Sequence, residues 1–186
     1  MAQLDVGLLD MALPDTGLMD TGAPDMEPPP SVYRWVIVAD DSRDENMAGT
    51  AGADICGVSA VCGVEVVLGV EAELVLGDGV VCDGVPGGPC GATRREDPAA
   101  ALDDGQMCAG GSSPSDYVSL GLSGQLAVDL GRDLRGCGVE VVELAGGDAE
   151  GYSVFVCETA VLEAATCVNG GQPVGVSAGG PLFIEL

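Results

Sequence analysis

Histidine and lysine are absent from this sequence of 186 residues, and aromatic residues make up only 3% of it. Without an imidazole, no Ser-His or Cys-His pair can form, and a zinc site built on histidine is excluded. Few aromatic rings also leave little material for the sugar platform of a glycosidase. We therefore expect a protein that is not an enzyme.

Positive charge is scarce as well. Six arginines stand against 30 acidic residues, which gives a formal net charge of -24. Such a surface repels phosphate backbones, so we expect no binding to nucleic acid, and anionic membranes are disfavoured for the same reason.

Long apolar runs are missing too. No stretch of about 20 apolar residues occurs, so we predict no transmembrane segment. Met1 is followed by neither a basic nor an apolar leader segment. We therefore expect the chain to be part of a longer protein, or to begin at an internal methionine.

Cysteine, in contrast, is plentiful, and its even number predicts disulfides and hence an extracellular or cell-surface protein. The eight cysteines are Cys56, Cys62, Cys82, Cys90, Cys108, Cys137, Cys157 and Cys167. Zinc held by four thiolates is the alternative, but the paired knuckles of such sites are more closely spaced.

Sequence alone does not fix the pairing of these cysteines, because four bridges allow many connectivities. Short loops favour three pairs and leave a fourth by elimination: Cys56–Cys62, Cys82–Cys90, Cys157–Cys167 and Cys108–Cys137.

The N-terminal residues form a repeat with a period of five, and aspartate recurs once in each unit: Asp5, Asp10, Asp15, Asp20 and Asp25. That period matches neither a helix nor a strand face, and proline and glycine interrupt it throughout. We predict that residues 1–31 are a disordered acidic linker. It is interpreted as a stalk that holds a domain away from a surface; a dispensable tail is the alternative.

Residues 32–186 contain short segments rich in valine and leucine, several of which alternate apolar and polar residues. We predict strands at 33–39, 55–61, 64–76, 117–120, 125–130, 139–144, 152–157, 161–168 and 181–186. No amphipathic helix is evident. The pattern predicts an all-β fold, a jelly-roll-type β-sandwich stapled by disulfides.

The large aromatic residues lie in these strands among apolar neighbours, so we predict that they pack in the core. They are Trp35, Tyr117, Tyr152, Phe155 and Phe183. Tyr33, at the entrance to the first strand, is the best candidate for an exposed ring.

Four glycine-based segments resemble bacterial, myxobacterial-type cell-surface jelly-roll domains, which are related in shape to galactose-binding modules. They are Asp-Tyr-Val-Ser-Leu-Gly (116–121), Ser-Gly-Gln-Leu-Ala-Val-Asp-Leu-Gly (123–131), Gly-Cys-Gly-Val-Glu-Val-Val-Glu (136–143) and Gly-Tyr-Ser-Val-Phe-Val (151–156). The N-terminal repeat resembles the spacers of lipoproteins from such bacteria. The resemblance implies secretion and a lipid anchor or leader outside this sequence. Cys56, Cys137 and Glu140 depart from the family pattern.

One acidic loop offers oxygen ligands at alternate positions: Asp40, Ser42, Asp44 and Asn46, with Asp54 nearby. Such spacing lets side chains converge on one calcium ion, although the glycine and bidentate glutamate of an EF-hand are missing. A solvated loop is the alternative.

A second acidic group lies around the pair Arg94-Arg95: Glu96, Asp97, Asp103 and Asp104. Paired carboxylates catalyse glycoside hydrolysis. The few aromatic residues favour a solvated loop over a catalytic site.

Taken together, these features predict a non-catalytic extracellular module for adhesion, recognition or envelope architecture, with a surface glycan or protein as its partner. The alternative is a calcium-dependent carbohydrate-binding module that uses the loop 40–54.

Overall fold

The chain divides into two units, Met1–Pro30 and Ser31–Leu186. The structure, a computed structural model, describes residues 30–42, 51–79, 96–105, 108, 116–144 and 150–186. The predicted linker therefore lies outside the described residues, apart from its last two positions.

Ten strands form in the described part of the second unit, because short runs rich in valine favour the extended backbone. They are β1 (Trp35–Asp40), β2 (Asp54–Cys62), β3 (Glu65–Leu68), β4 (Glu71–Val75), β5 (Val118–Ser119), β6 (Gln125–Asp129), β7 (Gly138–Glu143), β8 (Tyr152–Cys157), β9 (Gly175–Ser177) and β10 (Leu182–Glu185). Two short 3-10 helices, Pro98–Ala101 and Ala164–Thr166, accompany them.

The strands make two antiparallel sheets. Sheet A has the order β4-β6-β1-β8-β9, and sheet B has the order β10-β7-β2-β3, with β5 paired to β2. In sheet A β1 pairs with β8, while in sheet B β2 pairs with β7, so the pairings are nested along the chain. The predicted all-β sandwich of jelly-roll type is confirmed.

The core lies between the two sheets, and aliphatic side chains fill it. Val36, Val38 and Val154 face inward from sheet A, and Val58 and Val139 face them from sheet B. All five are fully shielded from solvent. The period-two alternation of the sequence thus sends one side of each central strand into this core.

A smaller apolar cluster covers the outer face of sheet A. Trp35, Ile37 and Phe155 project there and pack against Ala160 and Leu162. The predicted strand at 161–168 is wrong, because this segment contains a 3-10 helix and lies over the sheet as a loop. The Cys157–Cys167 disulfide attaches that loop to the end of β8.

The prediction that Phe183 packs in the core is also wrong. Its side chain is on the outer face of sheet B and is 55% exposed. The neighbouring strand provides Gly138, and a Cβ added there would lie 2.8 Å from Cε2 of Phe183. The ring therefore occupies the space that a side chain at position 138 would need.

A β-bulge interrupts β2 where it crosses the 3-10 helical segment. The register of β2 against β7 shifts between Ile55 and Gly57, and Gly57 forms a bridge with Asp104. A Cβ at Gly57 would lie 2.7 Å from the carbonyl oxygen of Asp103. Only glycine allows the segment 103–105 to approach this closely.

Three disulfides tie the described residues together, and all six cysteines among them are paired. The pairs are Cys56–Cys108, Cys62–Cys137 and Cys157–Cys167. The third pair confirms the prediction. The predicted pairs Cys56–Cys62 and Cys108–Cys137 are wrong; the predicted pair Cys82–Cys90 lies outside the described residues.

The reason for the error is the geometry of β2. Cys56 and Cys62 lie in one extended strand, and six residues of strand span about 20 Å, well beyond the reach of a disulfide. Each therefore pairs with a cysteine that is distant in sequence: the separations are 52 residues for Cys56–Cys108 and 75 for Cys62–Cys137.

Removal of the long-range disulfide should destabilise the fold more than removal of the short-range one. The double change Cys62→Ala with Cys137→Ala opens a loop of 75 residues, and Cys157→Ala with Cys167→Ala opens one of 10. Chain entropy predicts losses in the free energy of unfolding of about 4 and about 3 kcal/mol, respectively. Urea titration measures both values, and a larger loss for the short loop would contradict the entropic account.

Candidate functional site

Three buried acidic residues meet at one end of the sandwich, which we call the carboxylate end. Asp40 is the last residue of β1, Asp54 is the first residue of β2 and Glu143 is the last residue of β7. All three side chains are at least nine-tenths buried. Antiparallel pairing of β2 with β7 places Asp54 near Glu143. Asp40 belongs to the other sheet and reaches the same end of the fold through its hydrogen bond from the N–H of Ala53.

Asp40 uses both of its carboxylate oxygens for protein donors. Oδ1 accepts hydrogen bonds from Oγ of Ser42, at 2.7 Å, and from the backbone N–H of Ala53, at 3.0 Å. Oδ2 accepts from the backbone N–H of Ser123, at 2.9 Å. The side chain thereby joins the end of β1 to the segment before β2 and to the turn before β6.

Asp54 is engaged in a similar way, because its Oδ1 accepts a 2.5 Å hydrogen bond from Oγ of Ser119. The other two predicted calcium ligands, Asp44 and Asn46, lie outside the described residues. Within the residues that are described, no three acidic or cysteine side chains group as metal ligands do. A calcium site in this loop therefore stays a prediction.

Glu143 is the most perturbed of the three carboxylic acids. Burial, with a smaller contribution from the negative charges of Asp54 and Asp40, raises its pKa to about 7, against the hydrogen bond that Gly180 N–H donates to its Oε2. Close to neutral pH, this side chain gains or loses a proton inside the fold.

Tyr152, the first residue of β8, also lies at the carboxylate end. Its hydroxyl donates a 2.7 Å hydrogen bond to the carbonyl oxygen of Gly180, the residue whose N–H reaches Glu143. Burial raises the pKa of Tyr152 to about 12, so the phenol stays protonated. Glu143 and Tyr152 together hold the turn between β9 and β10.

In the second acidic group, around residues 96–104, two aspartates accept hydrogen bonds from nearby backbone N–H groups. Asp97 Oδ1 accepts a hydrogen bond from the N–H of Ala99 and caps the 3-10 helix, while Asp103 Oδ1 accepts from the N–H of Gly105 at 2.7 Å. These contacts favour the structural interpretation of both aspartates.

A cavity of about 300 Å³ opens at the other end of the sandwich, beside the start of β1 and the ends of β8 and β10. We call it the pocket. Apolar side chains line part of it: Val156, Val168, Val174 and Leu186. The polar lining consists of Tyr33, Arg135, Asn169 and Glu185.

Two disulfides anchor the walls of the pocket. Cys157–Cys167 fixes the segment that carries Val168 and Asn169, and the backbone N–H of Val168 donates to the carbonyl oxygen of Val156 at 2.9 Å. On the other wall, the N–H of Leu186 donates to the carbonyl oxygen of Cys137, the partner of Cys62, at 3.0 Å.

Arg135 and Tyr33 form the most structured part of the lining. The guanidinium of Arg135 lies 5.7 Å from the centroid of the Tyr33 ring. Its Nε donates to Oδ2 of Asp133 at 2.8 Å, and its Nη2 donates to the carbonyl oxygen of Ser31 at 3.0 Å. The hydrogen bond to Arg135 holds the pKa of Asp133 below its ordinary value.

The sequence predicted an exposed ring at Tyr33, but the residue is half-buried against the core. The other polar groups of the pocket were not predicted. Arg135, Asn169 and Glu185 come from three segments that lie far apart in the chain. No local pattern marks them, because only the sheet topology brings them together.

Comparisons with family models, curated proteins and solved structures each gave no match. The resemblance to bacterial cell-surface jelly-roll domains therefore stays a prediction. In the part of the chain that the structure describes, no helix has the length and apolar character needed to cross a membrane.

The raised pKa of Glu143 predicts that stability depends on pH. An ordinary glutamic acid titrates near 4.5, whereas Glu143 titrates near 7 in the folded state. Between these values the folded state binds more protons than the unfolded state, so the free energy of unfolding falls as pH rises. We expect Tm to fall by about 5 °C from about pH 5 to about pH 8.

Scanning calorimetry of two variants isolates this contribution. Glu143→Gln keeps an acceptor for Gly180 N–H but cannot ionise, so most of the pH dependence in this range should disappear. Glu140→Gln is the matched control, because Glu140 lies on the same strand and points away from the core. An equal pH dependence in both variants would refute the assignment to Glu143.

Proposed function

We propose that this chain is a non-catalytic extracellular recognition module that binds a neutral glycan in the pocket. The observation that carries the proposal is the pocket itself. It is a concave site of about 300 Å³ in which an aromatic ring and convergent polar groups stand beside an apolar wall. Small-molecule sites in proteins have this composition.

The lining favours a sugar over other small ligands. A pyranose ring has an apolar C–H face and an edge of hydroxyl groups. Val168 and Val174 offer apolar contacts to the C–H face, while Asn169, Glu185 and Arg135 offer planar hydrogen-bonding groups to the hydroxyl edge.

The charge of the site favours a neutral ligand. Asp133 already neutralises Arg135, and Glu185 adds a negative charge to the lining. The chain as a whole carries -24. An anionic ligand would be repelled by this field, whereas a neutral glycan is not affected by it.

An extracellular location is supported by the three disulfides, since such bonds persist in oxidising compartments. The absence of histidine and lysine from the sequence supports a role in binding over one in catalysis. Rigid walls anchored by disulfides also suit recognition, because little ordering of the site is needed on binding.

The proposal is tested on an array of neutral oligosaccharides, with calcium present and again with a chelator. We expect binding in both conditions, because no residue of the pocket belongs to the loop 40–54. For a glycan that binds, calorimetry on Tyr33→Ala and Asn169→Ala should show at least a tenfold loss of affinity, about 1.4 kcal/mol for each tenfold.

Val176→Ala is the control for this experiment, since Val176 is exposed on β9 outside the pocket. Its affinity should equal that of the unaltered chain. Failure to bind any neutral glycan, or an equal loss in Tyr33→Ala and Val176→Ala, would rule out the pocket as a glycan site. Binding only with calcium would move the site to the loop 40–54.

A further inference from the structure

The outer face of sheet B bears a row of four apolar side chains, three of them exposed, that lies outside the pocket. We call it the apolar strip, and it consists of Phe183 on β10, Val61 on β2, and Val66 and Leu68 on β3. Phe183 is 55% exposed, Val66 is 57% exposed and Leu68 is 45% exposed. Exposed apolar groups in a contiguous row typically mark an interaction surface.

Strand register makes the strip continuous. Val61 stands opposite Gly138 on one side and opposite Val66 on the other. Because Gly138 has no side chain, the ring of Phe183 lies over it and closes the gap in the row. The strip therefore crosses the whole sheet from β10 to β3.

Sheet A shows how this fold treats an apolar outer face. There Trp35, Ile37 and Phe155 are buried beneath Ala160 and Leu162, in a loop tied down by a disulfide. On sheet B, Phe183, Val66 and Leu68 stay about half exposed. One outer face thus has its own cover, and the strip on the other is open to solvent.

The charges around the strip select the kind of partner. Glu140 pairs with Phe183 in the register of β7 and β10, and Glu185 pairs with Gly138, so both carboxylates lie on the face of the strip. Glu65 precedes Val66 and therefore lies on the opposite face of β3. Arg132 is already paired with Glu65, at 2.9 Å. With a net charge of -24, this surface attracts a basic partner and repels an acidic one, a second copy of the chain included.

The position of β3 at the edge of sheet B indicates how a partner would bind, namely as an added strand. This strand pairs with β2 along one edge, and no described strand pairs with its other edge. An unpaired edge is a template for strand addition. A strand added there would place every second side chain in line with the apolar strip.

We propose that the apolar strip and the free edge of β3 bind an extended segment of a partner protein, in which apolar residues alternate with lysine or arginine. The apolar residues continue the row of Val61 and Val66. Because successive side chains of a strand point to opposite faces, the basic residues point away from the strip, to the face on which Glu65 lies, and the backbone pairs with β3.

Three synthetic peptides of equal length test the proposal against the full chain by calorimetry. In the first, valine alternates with lysine; in the second, serine alternates with lysine; in the third, valine alternates with glutamate. We expect the first to bind, the second to bind at least tenfold more weakly and the third not to bind. Equal binding of the first two would reduce the interaction to charge alone and overturn the proposal.

Location is tested by variants and by NMR. Val66→Ser with Phe183→Ser should weaken binding of the valine-lysine peptide at least tenfold, while Val176→Ser, an exposed valine on β9, should leave it unchanged. Since all three side chains are exposed, these variants should keep their Tm. Amide shifts of the unaltered chain should cluster on β3.

Three results would overturn the assignment: an equal loss of peptide binding in the control, amide shifts away from β3, or self-association of the chain that the double variant abolishes. The last would make a second copy the occupant. Neither Val66 nor Phe183 lines the pocket, so the outcome is independent of glycan binding.

Discussion

The burial of two valine-rich sheet faces against each other is the interaction on which the rest of this structure depends. Small aliphatic side chains such as Val36, Val58 and Val139 fill the space between the sheets, and each contributes about 1.5–3 kcal/mol on full burial. With aromatic residues at 3% of the chain, this core has few aromatic rings. Disulfides at the edges add stability by restricting the unfolded chain.

The strands could be predicted from the sequence, because a half-buried strand leaves a period-two signal in its own residues. The 152–157 strand is correct to the residue, and 125–130 is close.

The segment 161–168 was wrongly predicted as a strand because its apolar residues cover an outer sheet face, and such a contact leaves no signal in the local sequence. The prediction that Phe183 packs in the core failed for a related reason: its ring lies outside the core, over Gly138 on a neighbouring strand. The polar pocket residues were hidden likewise, because they meet only through topology.

Scarcity of cations shapes how this acidic chain treats its buried carboxylates. Asp129 is paired with Arg34, but the carboxylates at the other end receive hydrogen bonds from the backbone and from hydroxyl groups. Asp40 binds two N–H groups and a serine, and Asp54 binds a serine. In the sequence, side-chain oxygens at alternate positions suggested a cation site. Backbone N–H groups at the end of a strand also need oxygen acceptors, so the same residues can serve that role.

The Cys62–Cys137 disulfide has a mechanical consequence. It joins the end of β2 to the turn before β7 and encloses 75 residues. If the folded unit were stretched from its two ends, tension would pass through this covalent link and bypass the enclosed segment. The strands β3 to β6 would carry no load, and the extensible length would be limited to the chain outside the loop. Under tension, a domain built in this way extends by a short, fixed distance and then resists further extension.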